Sequence, residues 1–241
     1  MKVLSFLHAA LRRKIFRSLL AAGLCLAAGV AGAQTDSLKI GIIGTGRIGG
    51  ALARHWAGAG HEIVISSRHP EELVELADEL GPKVRAATSR EAAAFGDIVL
   101  VSIPYAAMPQ VGTDFAAELQ GKIVIDTSNP VERRDGPMAR EWLAKGSGVA
   151  SRELLPGTRI VRAFNCIPAA SLANEGNRSP ARLAIPIAGD DVEAIVVAER
   201  LIDEAGFDSV LVGPLEAARR FDLGQPLAQG PRTAAELRSA L

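Results

Sequence analysis

The stretch IGIIGTGRIGGALARHW, residues 40–56, joins an apolar, β-branched run to a glycine-rich turn and then to a segment with helical spacing. Gly44, Gly46 and Gly49 in it fit the pattern G-x-G-x-x-G, which alone is weak evidence in a chain with 24 glycines. Its position between a predicted strand and a predicted helix is more specific. It favours a loop whose backbone N–H groups cradle the pyrophosphate of a dinucleotide.

Strands and helices alternate outward from this stretch. Short apolar runs predict eight strands, in the segments KIGIIG (39–44), HEIVISS (61–67), KVRAAT (83–88), DIVLVSIP (97–104), KIVIDTSNP (122–130), TRIVRAFN (158–165), LAIPIAGDD (183–191) and DSVLVG (208–213). Helical periodicity predicts helices between most of them, including one continuous helix over 108–119. Residues 130–157 are expected to be irregular except for a helical patch around Trp142. The spacing predicts an α/β, Rossmann-like, doubly wound and mostly parallel sheet in a single domain.

Residues 1–33 have the pattern of a signal peptide. A basic segment precedes an apolar run from Leu19 to Val30, and small residues at 31–33 fit a cleavage site. We expect cleavage before Gln34 and a domain of residues 34–241. The alternative is a membrane anchor, which needs about 18 to 20 apolar residues in a row, and this run is shorter.

The basic part of this leader, LRRKIFRS, resembles a twin-arginine export signal. Arg12 and Arg13 form the pair, and Leu11 stands where serine or threonine is usual. Such export carries folded proteins, often with a cofactor bound, and would place the protein in the periplasm or outside the cell. The alternative is a general secretory signal that contains two arginines.

The composition limits the partners. Without the leader, 22 basic and 27 acidic residues remain, so the net charge is near −5. Nucleic acid is an unsuitable partner for such a chain. After loss of the leader, Cys166 is the one cysteine left, and we expect a packing residue rather than a redox thiol. His55, His61 and His69 flank element ends and are expected to be solvated.

The end of the second strand indicates which dinucleotide binds. An NAD site places Asp or Glu about 20 residues beyond the first glycine, to bind the ribose 2′-hydroxyl. This strand instead ends in Ser66, Ser67 and Arg68. A guanidinium and a hydroxyl suit a 2′-phosphate, so the cofactor is predicted to be NADP(H). The alternative for Arg68 is a solvated surface arginine.

The fourth and fifth strands end at the same predicted edge. Ser102, Ile103 and Pro104 end the fourth strand, where Ile103 and Pro104 are placed to contact the nicotinamide and its ribose. Asn129 ends the fifth strand. It either hydrogen-bonds a ligand or begins a turn with Pro130.

Six segments follow one another along residues 38–225: IGTGRIGGALA, GHEIVISSRHP, VSIPY, RAFNCIPAASLAN, IPIAGDD and LVGPLEAAR. In this order they resemble the family of deazaflavin (coenzyme F420)-dependent NADP reductases, and equally the oxidoreductase domain of the membrane ferric reductases called STEAP. The resemblance implies one Rossmann-like domain that passes hydride between NADP(H) and a flavin or deazaflavin ring.

The resemblance also implies roles for single residues. Gly44, Gly46 and Gly49 shape the loop, and the other implied contacts are Thr45, Arg47 and Ile48 on the pyrophosphate, Ser67 and Arg68 on the 2′-phosphate, Ile103 and Pro104 on the nicotinamide, and Ala163, Phe164 and Asn165 on the acceptor side. Ser102 and Asn129 are predicted to bind the cofactor because of their positions at the strand ends. No catalytic acid or base and no metal are expected, because hydride transfer between two rings needs proximity and orientation.

Two other functions remain open from the sequence. One is an exported NADP-binding module without catalysis. The other is a hydroxyacid or pyrroline-carboxylate type dehydrogenase, although those add a helical domain where this chain has further strand-like runs. A homodimer also stays open, because the family's reductases end in an apolar dimer segment and this chain ends in the polar AQGPRTAAELRSAL.

Overall fold

The eight predicted strands are all present, as β1 (Lys39–Ile43), β2 (Glu62–Ser66), β3 (Val84–Ala87), β4 (Ile98–Val101), β5 (Ile123–Asp126), β6 (Arg159–Arg162), β7 (Ala184–Gly189) and β8 (Asp208–Gly213). The computed structural model describes residues 36–241. The predicted signal peptide, its twin-arginine pattern and its cleavage site lie outside these residues. Ser37–Leu241 form one compact unit. No helix within the described range is long and apolar enough to cross a membrane.

The strands form one sheet in the order β3-β2-β1-β4-β5-β6-β7-β8. All neighbours are parallel except β6 and β7, which pair antiparallel through Val161 with Gly189 and Arg162 with Ala188. This confirms the predicted Rossmann-like, mostly parallel fold. The chain leaves β1 toward β3 and then returns to β4 on the other side of β1. The carboxyl ends of β1 and β4 therefore border the crevice in which doubly wound sheets bind ligands.

The helices connect these strands. They are α1 (Arg47–Gly58), α2 (Val74–Leu80), α3 (Ser89–Phe95), α4 (Met108–Asp114), α5 (Ala116–Leu119), α6 (Glu132–Asp135), α7 (Met138–Lys145), α8 (Ser147–Leu154), α9 (Ala169–Asn174), α10 (Val192–Glu204) and α11 (Ala234–Ser239). The C-terminal helix α11 begins with a capping box of Thr233 and Glu236, as the sequence predicts.

Two predictions about helices are wrong. Residues 130–157 contain three helices, α6, α7 and α8, instead of a mostly irregular segment. Gly136 and Gly146, with φ of 77° and 89°, divide this region into pieces that are too short to show clear periodicity. The predicted helix over 108–119 is divided at Phe115, whose φ of −115° lies outside the helical region.

The core lies on both faces of the sheet, and Trp56 of α1 is central to one of them. Its ring is fully buried, Nε1 donates to Leu201 O at 2.9 Å, and the ring meets Phe164 edge to face at 6.4 Å. These contacts connect α1, α10 and the segment after β6. They hold the helix that follows the glycine loop against the sheet.

The prediction that all three histidines are solvated is wrong for His61. Its imidazole is fully buried, Nδ1 accepts from Leu38 N at 3.1 Å, and Nε2 lies 2.6 Å from Glu204 Oε2. Nε2 therefore carries the proton and donates to the carboxylate. His55 is half-buried, with Nε2 2.8 Å from Leu172 O, whereas His69 is exposed as expected.

Cys166 packs, partly buried, against the apolar cluster between β7, β8 and α11. Burial raises the pKa of its thiol to about 12. This environment agrees with the predicted packing role, because the nucleophilic form of cysteine is the thiolate.

Alkylation of Cys166 by iodoacetamide at pH 8 is expected to be on the order of 1,000-fold slower in the folded protein than in urea. The reason is that a thiol with a raised pKa has almost no thiolate at that pH. A Cys25→Ser background, analysed by mass spectrometry, confines the reaction to Cys166. Rapid alkylation of the folded protein would identify a reactive thiol instead.

Candidate functional site

The glycine loop follows β1, and its three glycines meet different surroundings. Gly44 has φ of 97°, and a Cβ placed on it would lie 2.3 Å from Ser102 O. A Cβ on Gly49 would lie 2.2 Å from Gly44 O. A Cβ on Gly46 would meet no described atom within 4 Å. The fold itself therefore requires glycine at 44 and 49, whereas at 46 glycine leaves open space into which a ligand can approach.

This difference gives a paired prediction. Gly49→Ala is expected to lower the free energy of unfolding by about 1 to 3 kcal/mol, because the methyl group overlaps a carbonyl oxygen. Gly46→Ala is expected to change it by less than about 1 kcal/mol, the scale of a helix N-cap change. Gly46→Ala should nevertheless weaken binding of NADP(H), the predicted dinucleotide, about tenfold or more, through lost phosphate hydrogen bonds.

Urea denaturation and fluorescence titration measure the two quantities on the same samples. Unchanged nucleotide affinity in Gly46→Ala would show that the ligand does not occupy the open space at residue 46.

The loop is fixed to the end of β2. Gly44 N and Thr45 N donate to Ser66 O at 3.2 and 2.9 Å. The Thr45 hydroxyl donates to Ser66 O at 3.0 Å and accepts from Ser66 N at 3.1 Å. The hydroxyl and the backbone N–H of Thr45 are thus both used within the protein, and its implied contact with a pyrophosphate stays a prediction.

The N-terminus of α1 opens toward the same edge. Its N-cap is Gly46, whose residue type offers no side-chain cap for the first N–H groups of this helix. Arg47, the first helical residue, is exposed, and Ile48 is half-buried. Uncapped N–H groups at a helix N-terminus bind anions.

Ser67 and Arg68 follow β2 directly, at the carboxyl edge of the sheet and beside the glycine loop. Ser67 Oγ accepts from His69 N at 3.0 Å. Arg68 is exposed. The structure therefore brings both residues to the loop, although they lie outside the lining of the adjoining cleft.

A cleft of about 360 Å³ opens at the carboxyl ends of β1, β4 and β5. Its lining includes the predicted residues Gly46, Arg47, Ile48, Ser102, Ile103, Pro104 and Asn129. Five further lining residues were not among the predicted site residues: Thr127 and Ser128, which follow the fifth strand beside Asn129, and Val131, Arg134 and Leu223. Among residues 36–241, no cluster of three or more His, Cys, Asp or Glu side chains is placed to hold a metal ion. The cleft thus combines a glycine loop, an apolar wall and polar groups from the next strand.

The residues implied for the acceptor side are mostly buried. Ala163 and Phe164 lie in the core, and Phe164 has a positive φ of 58°. Asn165 is also buried, and its Nδ2 donates to Phe221 O at 3.0 Å and to Asn129 Oδ1 at 3.3 Å. Asn129 Nδ2 donates to Asn165 O at 2.6 Å. These residues support Asn129 from behind, and their contact with an acceptor stays a prediction.

A buried ion pair lies beneath this edge of the cleft. Arg162 and Asp126 are fully buried, and Arg162 Nη1 donates to Asp126 Oδ2 at 2.5 Å and to Ser128 O at 2.7 Å. Asp126 also accepts from Ser128 N at 2.8 Å and from Ser151 Oγ at 2.6 Å. Burial acts to lower the pKa of Arg162, but the charge of Asp126 outweighs it and the pKa is raised.

The pair fixes the loop after β5. Both backbone groups of Ser128 are bound by it, and Ser128 Oγ accepts from Ile103 N at 3.3 Å. Tyr105 extends the network, because its hydroxyl lies 2.8 Å from Ser151 Oγ. Burial, together with the charge of Asp126, raises the pKa of Tyr105, so the phenol stays protonated.

Arg134 is the charged lining residue that the sequence did not reveal. Its Nε and Nη2 donate to Asp135 Oδ1 and Oδ2 at 3.0 and 2.8 Å, and Nη2 donates to Asn129 O at 2.6 Å. It lies in the region predicted to be irregular. No residue pattern there indicated that α6 turns this side chain into the cleft.

This chain is similar to known proteins over much more of its length than the glycine loop. Residues 39–130 match the family model described as NADP oxidoreductase coenzyme F420-dependent. The F420-dependent NADP reductase of Methanothermobacter thermautotrophicus is 30% identical over 204 residues, which cover 79% of this chain and 87% of that relative. Metalloreductase STEAP3 of Rattus norvegicus is 28% identical over 196 residues, which cover 78% of this chain and 36% of that protein.

A solved structure gives the same result in three dimensions. A hypothetical protein from Sinorhizobium meliloti is 30% identical and superposes with a TM-score of 0.72 over 83% of this chain and 97% of that one. The similarity in fold therefore includes nearly all of that molecule.

Proposed function

Because the chain belongs to the family of coenzyme F420-dependent NADP reductases, we propose that it transfers hydride between NADP(H) and a deazaflavin-type or flavin-type acceptor. The chain is an NADP-dependent oxidoreductase. The family resemblance expected from six short segments is thereby confirmed. One observation supports this cleft as the site of the reaction. Open space at Gly46 lies beside the uncapped N-terminus of α1, and the cleft continues from there past Ile103.

The residues of the cleft fit NADP(H). The glycine loop and the first N–H groups of α1 bind the pyrophosphate, and Ile103 and Pro104 give the nicotinamide an apolar wall. Bound NADPH supplies the hydride. The chain holds the nicotinamide in position, keeps water from it and leaves its other face open to the acceptor.

Ser67 and Arg68 determine the choice of nucleotide in this proposal. Both lie at the end of β2, beside the loop that Ser66 anchors. The exposed guanidinium of Arg68 binds the 2′-phosphate, and the Ser67 hydroxyl adds a donor. No carboxylate stands at this position to bind a free ribose 2′-hydroxyl.

The acceptor occupies the part of the cleft beyond Ile103. Asn129 gives this part a polar group, and Leu223, 46% exposed, gives it an apolar surface suited to a ring. Asn165 holds Asn129 from behind, and Ala163 and Phe164 anchor the strand end that carries Asn165. In this proposal these residues shape the acceptor side, while hydride transfer needs no acid or base.

The test follows the NADPH absorbance band with purified protein and, in turn, no acceptor, flavin mononucleotide and 5-deazariboflavin. NADPH oxidation only in the presence of a ring acceptor is the expected result. The Gly46→Val variant, which fills the open space of the loop, is the matched control and should lose the activity. NADPH that binds and is not oxidised with either ring would instead support the alternative of a non-catalytic NADP-binding module.

We also propose that the protein is exported after it has bound its nucleotide. The basis is the leader of residues 1–33 with Arg12 and Arg13. Export of a folded, loaded protein would explain how an NADP-dependent enzyme operates away from the cytoplasmic nucleotide pool. Cell fractionation of the native protein and of an Arg12→Lys, Arg13→Lys variant tests this, with retention of the variant as the expected result.

A further inference from the structure

The lining of the cleft contains two cationic side chains, Arg47 and Arg134, and no Asp or Glu. Arg47 is the first residue of α1, which follows β1, whereas Arg134 belongs to α6, which follows β5. Since β4 lies between β1 and β5, the two arginines follow the strands on either side of the strand that leads to Ile103. Arg47 is on the pyrophosphate side. Arg134 is on the side where the proposed function places the acceptor.

Arg134 is held rigidly. Asp135 binds two of its nitrogens, and this carboxylate is itself buried and accepts from Val131 N at 2.8 Å and Ala106 N at 3.3 Å. Burial acts to raise the pKa of Asp135, but the Arg134 hydrogen bond and the backbone donors outweigh it and the pKa is lowered. The result is a fixed dipole with its negative end buried and its positive end at the cleft.

One nitrogen of Arg134 is left over. Nε and Nη2 make all the hydrogen bonds of this side chain within residues 36–241, and Nη1 makes none there. The side chain is 46% exposed. The hydrogen bonds from Arg134 to Asn129 and Asp135 therefore use two of its three nitrogens, and the third remains available to a ligand in the cleft.

We propose that Arg134 is a catalytic residue, which stabilises the negative charge that hydride transfer creates on the acceptor ring; this rests on the proposed function. The hydride leaves C4 of the dihydronicotinamide with two electrons and forms a bond to C5 of the deazaflavin. An electron pair of the ring then moves to N1 and the C2 carbonyl, and N1 later takes a proton from water. A fixed guanidinium beside N1 and C2 stabilises this charge more than it stabilises the neutral acceptor.

The first test removes the charge and keeps a polar group. In Arg134→Gln, the single-turnover rate of hydride transfer from NADPH to 5-deazariboflavin is expected to fall about 10- to 100-fold, while NADP⁺ affinity changes less than about twofold. Arg134→Lys should restore part of the rate. Arg133→Gln is the matched control, because Arg133 is an exposed neighbour outside the lining and should leave the rate unchanged. Weaker NADP⁺ binding at an unchanged rate would overturn the proposal in favour of a nucleotide contact.

The second test needs no turnover. Chemically reduced 5-deazariboflavin is added without oxygen to the NADPH-loaded protein, in which neither ring can accept a hydride, and ionisation of N1 is followed by absorbance against pH. The pKa of bound N1 is expected to be about one unit or more higher in Arg134→Gln than in the native protein. Arg47 is the other charged lining group and is the same in both proteins, and Asp135 behind Arg134 acts in the opposite direction.

The two tests separate the two hypotheses. If NADPH is never oxidised, the proposed function fails, and the titration of N1 still tests the role of Arg134. Equal N1 pKa values in the two proteins, or a reduced ring that does not bind, would overturn the role of Arg134 even if NADPH is oxidised.

Discussion

Replacing Arg162 with methionine is expected to lower the free energy of unfolding by about 3 to 5 kcal/mol, the range measured when one partner of a buried ion pair is removed. The variant would leave the carboxylate of Asp126 fully buried without its cation. The Ser128 carbonyl would lose its donor in the same step. Urea denaturation followed by tryptophan fluorescence measures the change.

A second variant distinguishes the lost charge pair from lost packing. Arg162→Met with Asp126→Leu removes both charges, and replacement of both partners by apolar groups is often nearly neutral. The double variant is therefore expected to recover most of the lost stability. A single variant within about 1 kcal/mol of the native protein would mean that the pair contributes little to stability.

Replacing Arg68 with alanine is expected to weaken NADPH binding about 10- to 100-fold, as the loss of charge-assisted hydrogen bonds to a phosphate predicts. NADH binding should be unchanged, because NADH lacks the 2′-phosphate. Fluorescence titration of both nucleotides measures the ratio, and NADH acts as the internal control in the same protein. Arg68 is exposed, so little loss of stability is expected.

Two results would contradict this assignment. An equal loss of affinity for NADPH and NADH would show that Arg68 supports the loop rather than the 2′-phosphate. Unchanged affinity for both would make Arg68 a solvated surface residue.

Local sequence patterns were sufficient to predict the sheet. Each strand is a short apolar run with a turn signal on either side, and the glycine loop stands between a predicted strand and a predicted helix. The residues at the strand ends could therefore be placed at one edge of the sheet from the sequence alone. Seven of the predicted cofactor residues line the cleft for this reason.

The features that were missed depend on contacts between distant parts of the chain. Both nitrogens of the buried His61 are bound, one by Glu204 and the other by Leu38 N just before β1, and nothing near His61 in the sequence indicates these partners. Arg134 enters the cleft because Asp135 is anchored by two backbone N–H groups. Short helices such as α6 depend on such tertiary contacts, because a single turn of helix has little stability alone.

The lining of the cleft runs from Gly46 to Leu223 in a chain of 241 residues. Because these lining residues come from segments that are far apart in the sequence, the cleft is complete only when the segments have folded against one another. Nucleotide can therefore bind only to the folded protein. A chain threaded through a membrane while still unfolded would arrive with no binding site assembled, whereas a chain moved after release and folding would carry its nucleotide with it.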